Sequence, residues 1–188
     1  MQQSAKARLD WKKFFSPRAS ALLLGKKLVK IKHSIEINAS KDRVWEIISD
    51  LENEPEYWYG TKDTRTISRN GNVVEREITQ NFRNHKILQK AVLHPKNSVE
   101  IQYLKGLTMG SKIISIEPLE ENKQRLNVFW DIHFEGIYKL ATPMIKGHTE
   151  KGTIGALSRI KQVAELQSGQ DSTNKEAVGQ REKAQPNT

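Results

Sequence analysis

Arg76, Tyr103 and His148 are the side chains whose type and spacing suit acid–base or polar chemistry on a small molecule. Arg76 and Gln80 fall in the alternating register of Val74, Ile78 and Phe82, so a guanidinium is carried onto an otherwise apolar strand face. Tyr103 shares the register of Val99 and Ile101, and His148 lies in the apolar register of a long helical pattern. A catalyst that folds a flexible apolar substrate needs little more than a shaped cavity and one such acid or base. Other chemistries find less. There is no cysteine, which removes a thiolate metal site, a thiol nucleophile and a disulfide framework. The five histidines never stand as an i, i+4 helical pair or beside an acid at ligand spacing, so no metal is expected. Asp131 and His133 sit opposite the register of Trp130 and Ile132 and are expected to face solvent. Gly106-Leu107-Thr108-Met109-Gly110 lacks the Lys-Ser/Thr and helix of a phosphate loop and reads as a turn. No Gly-x-Ser-x-Gly elbow appears, and no cofactor is expected.

The elements that must position these residues follow from periodicity. Val29, Ile31, His33, Ile35 and Ile37 alternate with polar neighbours, which predicts a first strand. Ser40 suits a helix N-cap, and Val44, Ile47, Ile48 and Leu51 follow at helical spacing. Pro55, flanked by Glu54 and Glu56, opens a second short helix ending near Trp58. Six strand patterns follow at about 64–69, 73–82, 86–93, 98–104, 108–117 and 125–134, broken by turns such as Asn70-Gly71-Asn72. Apolar residues from Ile137 to Ala164 then recur every three or four positions, which predicts one long helix kinked near Pro143.

A seven-stranded antiparallel sheet with one apolar face must be covered, and the long helix is the element able to cover it. A sheet this wide twists and curls around the helix, and the two can part at one end to enclose a cavity. The expected lining is Trp58, Arg76, Ile78, Phe82, Ile101, Tyr103, Val128 and Trp130, opposed by Tyr138, Met144 and His148 from the helix side. Core packing alone accounts for any one of these. Arg76 and Gln80 in the inward register, and Gly147, Gly152 and Gly155 in the helix, favour a cavity for the set.

Charge divides the chain. Of the net +9, residues 1–33 carry nine Lys or Arg against Asp10, whereas residues 34–167 carry 19 basic and 18 acidic side chains. A nearly neutral domain argues against specific nucleic-acid binding. The sequence divides into a basic arm at 1–28, with a short helix expected near 19–27, a domain at 29–166 and a polar tail at 167–188 expected to be disordered. Lys12, Lys13, Arg18, Lys26, Lys27 and Lys30 suit an anionic membrane surface or an acidic partner, with an inert extension as the alternative. No apolar run spans a bilayer, so the reading is a cytoplasmic protein, peripheral to a membrane through its arm, with organelle targeting by the arm as the alternative. No sequence signal sets the oligomeric state.

The segment Ser34-Ile35-Glu36-Ile37-Asn38-Ala39-Ser40-Lys41-Asp42-Arg43-Val44-Trp45, followed by Ile48-Ser49-Asp50-Leu51-Glu52 and Trp58, resembles the opening pattern of the START/SRPBCC superfamily, the polyketide cyclase-like and pollen-allergen-like helix-grip proteins. The resemblance extends over about residues 29–166. It implies an α+β helix-grip fold with a lipid, quinone, isoprenoid, sterol or polyketide held between sheet and helix. It supplies no catalytic set. A binding or carrier role for a hydrophobic small molecule is therefore expected before a cyclase or dehydratase activity in the same cavity or a membrane or protein-interaction module.

Overall fold

A computed structural model describes residues 28–183, with side chains described as far as Leu166. Strand β1 (Val29–Ile37) runs directly into helix α1 (Lys41–Ser49). The Ser40 hydroxyl accepts a hydrogen bond from the Arg43 amide at 3.2 Å, satisfying one of the donors left free at the helix start. The apolar stripe of α1 buries Val44, Ile47 and Ile48. Pro55 opens the single turn α2 (Glu54–Tyr57), where its missing amide costs nothing.

Six strands follow as a meander: β2 (Thr61–Asn70), β3 (Val73–Gln80), β4 (Lys86–His94), β5 (Ser98–Lys105), β6 (Thr108–Glu120) and β7 (Lys123–Phe134). The sheet order is β1-β7-β6-β5-β4-β3-β2, with every neighbouring pair antiparallel. Only β1 leaves sequence order, pairing with the last strand. Edge strand β2 is mostly exposed, carries charged side chains and is broken by two register shifts, which blunts it against pairing with another chain. Alternation along β3, β4 and β7 puts one side chain in two into the core, except at the end of β7, where Ile132, His133 and Phe134 are all buried.

A 3-10 turn (Gly136–Lys139) leads to α3 (Thr142–Lys183). One expectation for this region changes. Pro143 does not kink a helix already under way; it lies in the first turn of α3, where a fixed φ and a missing amide are tolerated. The helix as described runs on to Lys183. Across the sheet, α3 buries Thr153, Ala156, Leu157, Ile160 and Ala164, whereas no residue from Pro143 to Gly152 is buried. The helix grips the sheet by its middle, while its first turns are more exposed and touch the core through Ile145. No described helix is long and apolar enough to cross a membrane.

Candidate functional site

Strand register sets polar side chains in the middle of the concave face. One cross-strand row runs Arg76, Gln89, Tyr103 and Gly110; the next runs Val74, Ala91, Ile101, Lys112, Trp130 and Ile31. Arg76, Gln89 and Lys112 are each 1% exposed or less, which is rare for such groups unless they are paired. The close approach of β6 to β7 beside this row requires glycine. Gly110 has φ +115, and a Cβ there would lie 2.2 Å from the Asp131 carbonyl oxygen.

The partner comes from α2. Glu54 lowers its carboxylate between the two cations, accepting from Lys112 Nζ through Oε1 at 2.8 Å and from Arg76 Nη2 through Oε2. Arg76 also donates from Nε to Gln89 Oε1 at 3.0 Å and from Nη1 to the Leu51 carbonyl at 2.9 Å. Aromatic faces surround the lysine: Lys112 Nζ lies 3.9 Å from the Trp58 ring centre and 5.1 Å from that of Trp130. Tyr103 stacks on Trp130 with ring centres 6.1 Å apart, and Trp58 meets Trp130 edge-on at 5.9 Å. The Trp130 indole donates to the Thr153 hydroxyl at 3.1 Å, joining the cluster to α3.

Burial alone would raise the Glu54 pKa, but the Arg76 and Lys112 charges and hydrogen bonds more than reverse that and hold it at about 2. Burial pulls the Lys112 pKa down, against the pull of Glu54. Burial, with Glu54 nearby, pushes the Tyr103 phenol well above its ordinary value, so it stays a neutral donor. The cluster thus sets two cations against one carboxylate in a low-dielectric interior. One donor inside it, Gln89 Nε2, is buried without a hydrogen-bond partner. The arrangement suits a ligand oxygen bearing negative charge or a polarised carbonyl.

Beside the cluster is a void of about 10 Å³, lined by residues including Ile47, Leu51, Glu54, Trp58, Ile101 and Ile160 and large enough for about one water. A pocket for a drug-sized molecule needs roughly 300–1,000 Å³. In this closed form the side chains of Arg76, Lys112, Trp58 and Trp130 occupy the middle of the face.

Of the lining residues anticipated from sequence, Trp58, Arg76, Ile78, Ile101, Tyr103, Val128 and Trp130 are buried, and Tyr138 is half-buried at the edge. Phe82, Met144 and His148 are exposed instead. Phe82 lies just past the end of β3 in a turn, where alternation no longer governs its direction, and Met144 and His148 lie on the more exposed first turns of α3. Room beside the helix glycines is present at Gly147 and Gly152, where an added Cβ would meet nothing within 4 Å, though Gly152 is exposed. His133, expected in solvent, is buried, with Nε2 3.1 Å from the Glu135 carboxylate that follows it in the chain. Lys30 is exposed beside Asp131, while Lys12, Lys13, Arg18, Lys26, Lys27 and the expected helix at 19–27 lie outside the described residues. No group of three or more potential metal ligands occurs among the described residues.

Sequence reasoning missed Glu54, Gln89 and Lys112. For two of them the signal was present: Gln89 stands in the register of Ile87 and Ala91, and Lys112 in that of Ile114 and Ile116. Glu54 carried no such signal, because an acid beside Pro55 is also what a solvated helix start prefers.

The sequence profile of the polyketide cyclase / dehydrase and lipid transport family matches residues 29–165. The chain belongs to that family. Solved structures place it among helix-grip proteins. Zhui aromatase/cyclase from Streptomyces sp. R1128 superposes with a TM-score of 0.67 at 13% identity, covering 74% of this chain and 94% of that one. A START superfamily protein from Mycobacterium smegmatis gives 0.59 at 19% identity, covering 71% and 98%. The di-domain aromatase/cyclase StfQ of the steffimycin biosynthetic pathway gives 0.64 at 13% identity, covering 76% of this chain and 52% of that one. No curated protein sequence matches. At these identities the likeness is one of fold, and the family spans both catalysis and carriage.

Proposed function

We propose that this polyketide cyclase / dehydrase and lipid transport family member binds a hydrophobic small molecule between sheet and α3, with an oxyanion or carbonyl at one end of the ligand. The observation that supports this reading is the unpartnered Gln89 Nε2 donor beside a two-cation, one-carboxylate cluster in an otherwise apolar interior. The ligand oxygen takes the Gln89 Nε2 donor and the Tyr103 phenol, while its apolar body lies along Trp58, Trp130 and the underside of α3. Admission requires the first turns of α3 to swing outward. Near the mouth that motion breaks the His85–Tyr138 hydrogen bond of 2.9 Å, strains the Trp130–Thr153 bond and draws Ile145 off the core.

The test is native mass spectrometry of the purified full chain, alone and after incubation with a long-chain fatty acid, an isoprenoid quinone and an aromatic polyketide acid. A one-to-one adduct that is weakened in Tyr103→Phe supports the reading. A mass unshifted by the whole panel overturns it. A second reading, cyclase or dehydratase action, is favoured by Tyr103 itself, a buried phenol held as a neutral proton donor beside a cation. It predicts conversion of the bound polyketide over time, stopped in Tyr103→Phe while some binding persists.

A further inference from the structure

The antiparallel register gathers the start of β1, the end of β7, the 3-10 turn, the first turns of α3, the β5–β6 turn and the β3–β4 turn at one end of the sheet. Large apolar side chains are uncovered there: Leu140 is 90% exposed, Met144 72% and Phe82 54%. Tyr138 joins them, with its ring edge-on to Phe82 at 6.2 Å and its hydroxyl on His85. Solitary exposed apolar residues are ordinary, but a contiguous group on one rim is not.

Basic residues outnumber acids around this rim. The segments 28–30, 59–63, 80–87, 104–109 and 135–148 carry seven lysines and arginines against Asp63 and Glu135. The Arg83 guanidinium lies 5.5 Å over the Phe82 ring. Lys146 pairs with Glu150 at 3.7 Å, Lys86 with Glu77 at 2.8 Å and Lys30 with Asp131 at 4.0 Å, so these three are partly neutralised by acids, while Lys105 is exposed. The highly basic residues 1–27 also join the domain at this end, through Leu28. Apolar side chains inside a cationic border match the interfacial layer of a bilayer, which takes apolar groups below its headgroups and attracts Lys and Arg at its anionic surface.

We infer that the folded domain docks on an anionic lipid surface by this rim, with Phe82, Leu140 and Met144 entering the interface and the rim cations meeting lipid phosphates. The surface is independent of what the interior holds. The docked pose turns the more exposed first turns of α3 toward the bilayer.

The experiment is cosedimentation of the full chain with vesicles of phosphatidylcholine, alone or mixed three to one with phosphatidylglycerol. Binding is expected to the mixed vesicles only, and to weaken as salt screens the exposed charges. The triple variant Phe82→Ser, Leu140→Ser, Met144→Ser should lose about tenfold or more in partitioning, with unchanged circular dichroism and melting temperature. In Met144→Trp, brominated lipid in bound vesicles should quench more emission than in the wild type. Three results overturn the inference: no binding by the wild-type chain; equal binding by the triple variant, which assigns the contact to the basic arm; or a wild-type dimer that the triple variant dissolves without any vesicle binding, which makes the rim a contact between copies.

Discussion

The two ends of the sheet are made of the same seven strands yet are finished in opposite ways. At the end where the chain turns at 70–73, 94–98 and 120–123, charges are matched. Glu36 meets Lys123 and Arg125 at 3.0 Å each, Asp42 meets Lys96 at 2.9 Å, and the Asn38 amide donates to Glu165 at 2.7 Å. The middle of α3 lies over the adjoining core with Ala156, Leu157, Ile160 and Ala164 buried. At the rim, apolar side chains are uncovered, cations outnumber acids, and no residue of α3 from Pro143 to Gly152 is buried. The difference separates two tasks. One end contributes stability through contacts within the chain, while the other is left with surface that the described residues do not cover.

The sharpest break in that comparison should come from the cluster between the two ends. Arg76→Leu removes one of the two cations on Glu54 and the hydrogen bond that Arg76 donates to Gln89, and should cost about 3–5 kcal/mol in urea unfolding. Leu157→Ala, on the gripped part of α3, should cost about 2–5 kcal/mol in the same assay, through lost burial and the cavity left behind. Acid should act on the cluster too. The folded pKa of Glu54 is about 2 against an ordinary 4.5, so its stabilisation is fully present above pH 4.5 and is withdrawn as pH falls toward 2. Melting temperature followed across that window should fall steeply in the wild type and less so in Glu54→Gln. The smallest effect belongs to the rim, where Met144→Ala should change unfolding free energy by less than about 0.5 kcal/mol. Equal costs for Leu157→Ala and Met144→Ala would erase the distinction between the two parts of α3.

Most of the architecture was legible because alternation and helical spacing are local. Val29 to Ile37, the turn at Asn70-Gly71-Asn72 and the stripe of α1 each announce themselves within a few residues. Arg76 was found by the same rule, as a polar residue in an inward register. Applied without regard to charge, the rule also reaches Gln89 and Lys112. What stayed out of reach was their meeting. Gln89 lies opposite Arg76 only through the β3–β4 register, and Glu54 joins them from an element whose descent onto the sheet no local pattern encodes. The exposed positions of Phe82, Met144 and His148 failed for a related reason: periodicity gives the face of a strand or helix, but not where that element ends or where its neighbour ceases to cover it.

The β3–β4 turn carries a further consequence. Arg83 and Asn84 both hold positive φ, 53° and 52°, a backbone region that asparagine tolerates and arginine seldom enters. Arg83 in that region costs about 1 kcal/mol or more, so the turn that displays Phe82 is held under strain. An engineer seeking a more heat-tolerant version of this domain would begin here. Arg83→Gly removes the steric cost at position 83 and should lift the melting temperature by about 2–4 °C for each kcal/mol regained. The same change deletes the guanidinium over Phe82, so thermal tolerance and the chemistry of the turn are traded against each other at a single codon.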